Sequence, residues 1–192
     1  TSFRQFLSIH TVDEMPGEKT VWHVKNLLSK AGTFDVLFDR FREYLDRKGL
    51  SFNEGKIIDA SFVEAPKQRN TRDENGQIKS GNGEDLWKDN PHKKCHKDTD
   101  ARWTKKYDET HYGYKEHVKA DKRTKLIEKY VTTDASIHDS NVIRPLIDEK
   151  DEGQPLYLDA GYASKDDVVR ACGMIPVICK KGRRNRPLTD NR

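Results

Sequence analysis

The segment LYLDAGY, residues 156–162, runs Leu156, Tyr157 and Leu158 straight into Asp159 and then into a turn, Ala160-Gly161-Tyr162. A second segment has the same character. In GKIIDASFV, residues 55–63, Asp59 stands between Ile58 and Ala60, with Phe62 and Val63 beyond. Both read as strands, and the run 55–63 is apolar on both alternating faces, as in the centre of a sheet. A carboxylate in such a place is costly to bury unless it is paired, hydrogen-bonded or bound to a cation.

Working outward, strands and helices alternate. HYGYKEHVKAD and LIEKYVTTDAS read as two strands joined by a tight turn near 122–125. HDSNVIRPLIDE reads as a helix interrupted by Pro145, 165–172 as a short helix after a Ser164 cap, and MIPVICKKG (174–182) as a last strand. The stretch 64–110 is polar, charged and poor in aliphatics, and reads as a long insertion, partly ordered at best. From residue 55 the order is thus strand, insertion, two strands, helix, strand, helix, strand. This predicts a mixed α/β sheet flanked by helices, in ribonuclease-H-like order.

Residues 1–50 read as a small helical unit. A helix is expected over 2–9, a second from a Thr20 cap to about Lys30, and a third after Thr33, with Phe34, Leu37, Phe38, Phe41 and Leu45 in one stripe. Such stripes are usually core. A helix pair of this kind can also present a helix to DNA. The expected organisation is therefore a helical, DNA-binding segment over 1–50 and a catalytic core over 51–192 carrying the polar insertion 64–110.

The 192 residues are 35% charged with a net charge of +4, which by itself does not select nucleic acid. The distribution says more. KKGRRNR (180–186) places five basic residues in seven, and 88–106 is rich in Lys and Arg; both suit phosphate. Three irregularly spaced cysteines, Cys95, Cys172 and Cys179, argue against a disulfide framework and for a reducing compartment. No run approaches the ~20 apolar residues of a membrane span, so a cytoplasmic, nucleoid-associated protein is expected.

In a ribonuclease-H-like order the first and fourth strands lie side by side, so Asp59 and Asp159 can meet. Two close carboxylates repel, and a divalent cation relieves that best. Hard oxygen ligands select Mg²⁺ or Mn²⁺, in a site suited to phosphoryl transfer. The bland alternative for each acid is local: Asp59 capping a loop, Asp159 making an Asx-turn with Gly161. Finding both in this order favours the metal site.

IIDASFVEAP (57–66), HYGYKEHVKAD (111–121), TTDASIHDSN (132–141) and YLDAGYAS (157–164) together resemble the successive signatures of DDE transposases of bacterial insertion sequences. The resemblance is closest to the group with D-A-S/T and D-A-G-Y blocks. It implies that Asp59 and Asp159 are the first two catalytic acids, holding Mg²⁺ or Mn²⁺, in an enzyme that cuts element ends and joins them to target DNA, acting as a homo-oligomer. It also implies a third acid, a glutamate on a helix beyond the last strand. No residue here matches it, since Glu149 and Glu152 precede Asp159, and the sequence is expected to be a fragment. A non-catalytic DNA-binding remnant and a nuclease without strand transfer are the rival readings.

The segment DTDARWTKK (98–106) also recurs in such relatives. In it Trp103 could stack on an unpaired base while Arg102, Lys105 and Lys106 meet phosphate. Lys115 on the strand beside the first, and Lys180, Lys181, Arg183 and Arg184, are further DNA candidates. His138 and Asp139 read as a helix cap. His92, Cys95 and His96 are of metal-ligating types, but no second Cys/His pair stands at the usual spacing, so no structural zinc is expected there.

Overall fold

The computed structural model describes residues 5, 8–11, 15–50, 53–106, 108–180 and 182. The chain divides into two compact units, 1–50 and 51–192.

In the first unit, α1 spans Glu18–Lys30 and α2 spans Thr33–Arg47. Gly32 adopts the left-handed conformation between them (φ 62), which lets α2 start only two residues after α1 ends. The hydroxyl of Thr33 donates back to Leu28 O at 3.0 Å, tying the turn together. The stripe expected as core is not one, for no residue of either helix is buried. Trp22, Leu27, Phe34, Leu37 and Phe41 are all exposed, because two short helices have too little surface to enclose them. The helix expected over 2–9 lies largely outside the described residues.

The second unit is built on one six-stranded sheet: β1 Lys56–Glu64, β2 Arg102–Lys106, β3 Glu109–Asp121, β4 Ile127–Asp134, β5 Pro155–Leu158 and β6 Ile175–Ile178. The sheet runs β3–β1–β5–β6, and β3 carries two partners on its other side. Residues 102–106 of β2 pair with 109–113, and β4 pairs with 114–120, all antiparallel. β1 is antiparallel to β3, whereas β5 and β6 continue the sheet in parallel. This is the ribonuclease-H-like arrangement read from the element order, with β2 as an addition.

Gly113 marks the point where β3 passes from β2 to β4. Its φ of 144° is open to glycine, and a Cβ there would press on Val63 O and Ala65 N of the neighbouring strand. The hairpin from β3 to β4 turns on Asp121, whose Oδ1 accepts from the amides of Arg123 (2.9 Å) and Thr124 (2.8 Å).

The core lies on one face of the sheet. Ile58, Leu156 and Leu158 pack with Ile143 and Leu146 of α5 (Ile143–Leu146), Val169 of α6 (Asp166–Ala171), Tyr162 and Met174. Each such side chain contributes about 1.5–3 kcal/mol by leaving water. Where one interrupted helix was expected over 138–149, there is a 3₁₀ turn at Asp139–Asn141 and the single α turn α5. Pro145 sits in that turn, where an amide has no intrahelical acceptor to lose. Nor does Ser164 cap α6; Lys165 holds the N-cap position without a side-chain bond, and Asp166 and Asp167 favour the helix N-terminus by charge.

β1 is not the all-apolar central strand expected. Lys56, 1% exposed, faces the core side and pairs with Glu128 of β4 at 2.7 Å. Lys119 on β3 is fully buried between Asp148 (2.6 Å) and Asp151 (2.5 Å), and Lys129 closes the set on Asp148 at 2.5 Å. Burial opposes the charge of Asp148, but the two lysines outweigh it and hold its carboxyl below the ordinary range.

The insertion is more ordered than its composition suggests. α3, Arg72–Lys79, opens with a full capping box between Thr71 and Glu74. The same Glu74 accepts from Lys93 Nζ (2.6 Å) and Trp87 Nε1 (2.7 Å), joining three separate stretches. A short turn, α4, spans Pro91–Lys94. Asp98 then fixes the entry to β2. Its oxygens accept from the Tyr114 hydroxyl (2.7 Å each), and Oδ1 also accepts from the amides of Asp100 and Ala101. Polar side chains here do the ordering that aliphatic packing does elsewhere.

Candidate active site

The parallel pairing of β1 with β5 sets Lys56 beside Leu156 and Ile57 beside Tyr157. Both pairs are a hundred residues apart. Continued two residues, the same register brings Asp59 and Asp159 opposite each other, Asp159 just past the end of its strand. Strand alternation puts both on the face away from the buried core.

Neither carboxylate is buried; both are exposed. The desolvation argument that first singled them out therefore does not describe them. What holds each is a local hydrogen bond. Asp59 Oδ1 accepts from Ala60 N at 2.8 Å, and Asp159 Oδ1 from Gly161 N at 2.9 Å, as N-cap of the 3₁₀ turn Ala160–Tyr162. The Asx-turn is thus real, and it orients the acid rather than consuming it. The second oxygen of each acid accepts no hydrogen bond among the described residues.

Tyr162, which the sequence reading passed over, ends the 3₁₀ turn that Asp159 caps. Its ring is in the core and its hydroxyl is buried without a hydrogen-bond partner among the described residues. Burial first, then the charges of Asp139, Asp59 and Asp159, push its ionisation far above the ordinary phenol range. One hydroxyl thus feels three carboxylates that come from three separate parts of the chain.

Asp139, read from sequence as a cap, is the third of them. The cap itself is His138, whose side chain accepts from Ser140 N at 3.3 Å. Asp139 Oδ1 instead lies 2.9 Å from Lys115 Nζ, which also donates to Ile137 O at 2.6 Å. Lys115 balances the charge of Asp139, whereas Asp59 and Asp159 form no ion pair among the described residues. Next to them on β3, His117 is fully buried and bonds Thr133 Oγ1 at 2.9 Å through Nε2. Burial pushes its ionisation down, and Asp139 only partly offsets this. The signal that could have exposed Tyr162 and Asp139 was their place in the two turns, 159–162 and 138–141, that flank the acids.

The DNA candidates divide. Trp103 is 47% exposed and tilts against Tyr112 with centroids 4.9 Å apart; Lys105, Lys106 and Lys180 are exposed. Lys106 also reaches over the Phe62 ring, which stacks on His111 at 4.2 Å. Arg102 and Lys115 do not stand free for phosphate. The Arg102 guanidinium donates to Thr99 O (2.7 Å), Ala101 O and Ile78 O, and Lys115 is held by Asp139. Lys181, Arg183 and Arg184 lie outside the described residues.

The two acids suit a hard divalent cation. Each keeps an oxygen outside the backbone hydrogen bonds, both are open to solvent, and the neighbouring lysine is already engaged elsewhere.

The strand order, with β1 antiparallel to β3 and parallel to β5, is ribonuclease-H-like. Residues 50–191 match the family described as the transposase DDE domain. The chain is 31% identical over 174 residues to "Transposase for insertion sequence element IS1106" of Neisseria meningitidis serogroup B, an alignment covering 86% of this chain and 56% of that protein. No solved structure matches it. The chain belongs to the transposase DDE domain family, and it spans little more than half the length of that relative. Among the described residues no helix is long and apolar enough to cross a membrane.

Proposed function

We propose that this chain carries the first two acids of a metal-dependent transposase that cuts the ends of an insertion sequence and joins them to target DNA. The observation that supports this best is the parallel pairing of β1 with β5, whose register, continued two residues, points from Asp59 to Asp159 just past the end of β5. Held by these two carboxylates, Mg²⁺ or Mn²⁺ would supply the Lewis acidity that makes water or a DNA 3′-hydroxyl an effective nucleophile.

The chain's own residues prepare that site. The Ala60 and Gly161 amides fix one oxygen of each acid and leave the other outward. Lys115 cancels the charge of Asp139. Tyr162, its ionisation raised by burial and by the nearby carboxylates, stays protonated, a neutral hydroxyl that adds no further negative charge. Trp103, Lys105, Lys106 and Lys180 are the exposed groups offered to DNA, the lysines to phosphate and the indole to an unstacked base. The helical unit 1–50 is assigned to DNA as well, with assembly as a homo-oligomer on paired ends part of the same reading.

The test is product analysis on DNA carrying the element's ends, using the full-length protein. Joined end–target molecules that vanish in Asp59→Asn and Asp159→Asn support the reading. Free ends without joining would make this a nuclease. Binding without either product would leave a DNA-binding protein.

A further inference from the structure

A second group of potential ligands lies in the insertion and belongs to different chemistry. α4 continues in helical hydrogen bonding through Lys97: Cys95 N donates to Pro91 O, His96 N to Lys93 O and Lys97 N to Lys94 O. His92, Cys95 and His96 therefore fall at i, i+3 and i+4, on one face of the turn. One ligand atom from each lies within 4.8 Å of the others. Around a common tetrahedral centre with bonds of about 2.0–2.3 Å, such atoms stand roughly 3.5 Å apart, a difference that small side-chain rotations close.

The lysines of the same turn do not oppose this. Lys93 is bound to Glu74 at 2.6 Å, Lys94 donates to Glu84 O at 2.9 Å, and Lys97 donates to Arg69 O and Asn70 Oδ1 at 2.8 and 2.6 Å. Each ammonium is drawn onto the protein, while His92, Cys95 and His96 are all exposed. Asn90 and Pro91 fix the start of the turn, with Asn90 Oδ1 accepting from Lys93 N at 3.0 Å. The Cys95 thiol donates to His92 O of the same turn at 3.1 Å.

We propose that His92, Cys95 and His96 form a transition-metal site, of the Zn²⁺ class, separate from the carboxylate pair. Two imidazoles and a thiolate are borderline to soft donors; Asp59 and Asp159 offer hard oxygen. The two sites therefore sort metals by chemistry, Zn²⁺ or Co²⁺ to the first, Mg²⁺ or Mn²⁺ to the second. Three protein ligands leave a fourth position for water or an incoming group. The site would fix the turn that Glu74, Trp87 and Lys93 already anchor, and it stands whether or not the chain is catalytic.

The experiment is a Co²⁺ titration of the chain in excess Mg²⁺. One equivalent should give the intense thiolate-to-cobalt absorption and tetrahedral visible bands, both bleached by Zn²⁺. Cys95→Ser and His96→Gln should lose the thiolate absorption and Asp59→Asn should keep it. Circular dichroism should find all three variants folded, since each changed side chain is exposed. In parallel, Zn²⁺ should slow alkylation of Cys95, read by peptide mass, by about tenfold or more. No thiolate absorption, the same absorption in Cys95→Ser, or its loss in Asp59→Asn would each overturn the proposal.

Discussion

Asp159, one residue past the end of β5, falls where the parallel register, continued two residues beyond the pair Ile57–Tyr157, meets Asp59 of β1. Both acids are exposed, each fixed by one backbone amide. An exposed acid contributes little to folding. Asp59→Asn and Asp159→Asn should each shift unfolding free energy by no more than about 0.5 kcal/mol. Strand joining should fall by a factor of about a thousand or more in both. Denaturant titration beside the joining assay checks the pair of outcomes; a large loss of stability would make the acids structural.

Lys119 presents the reverse case. It is buried between Asp148 and Asp151 with Glu128 at 3.9 Å. Lys119→Met leaves these carboxylates without their central cation and should cost about 3–5 kcal/mol. Adding Asp151→Asn to it should recover part of the loss, because one uncompensated charge is then gone. Urea unfolding of the two singles and the double measures the coupling.

How much of this was legible in the sequence differs from place to place. Most of the strand order was readable, because β-branched and aliphatic runs are local signals; β2 was not, since Arg102–Lys106 is largely charged and lies within the stretch read as an insertion. The reason first given for the acids, burial, did not hold; a strand's two faces cannot be assigned before its neighbours are known. Lys56 and Lys119 are buried against partners that sit on other strands and turns, remote in sequence. Tyr162 and Asp139 were hidden for the same reason. The order in 64–110 escaped notice because it rests on Glu74 and Asp98, polar residues that hydrophobic periodicity does not register.

Glu74 gives that order a pH dependence. The hydrogen bond from Lys93, with those from the Thr71 amide and Trp87, pulls its carboxyl down to about 2 from an ordinary 4.5. A carboxyl held low in the folded state stabilises above its unfolded value and loses that contribution as pH falls through the folded one. Melting should therefore weaken between about pH 4.5 and about pH 2, with α3 and α4 opening early. Glu74→Gln should lessen the pH dependence of hydrogen exchange in these two helices.

Gly113 is a further point of failure. Any side chain there meets Ala65 N at 2.6 Å, on a backbone with φ of 144°. Gly113→Ala should destabilise by more than about 2 kcal/mol and loosen the β1–β3 pairing. Amide exchange at residues 114–120 reads this directly; unchanged protection would show that the strands have room to separate.

Trp103 and Lys105 should matter chiefly for DNA. Trp103→Ala should weaken single-strand binding by about 1–3 kcal/mol. Lys105→Ala should lower the salt dependence of binding by about one ion. Arg102→Ala should instead destabilise the fold, since its guanidinium holds three carbonyls. Fluorescence anisotropy across a salt series separates the three.

The central claim is that Asp59 and Asp159 act together on one hard divalent cation. Calorimetric titration with Mn²⁺ tests it most directly. Binding in the unaltered chain should be lost in Asp59→Asn and in Asp159→Asn alike, with no additional loss in the double variant. An isotherm that survives either single substitution unchanged would contradict the account.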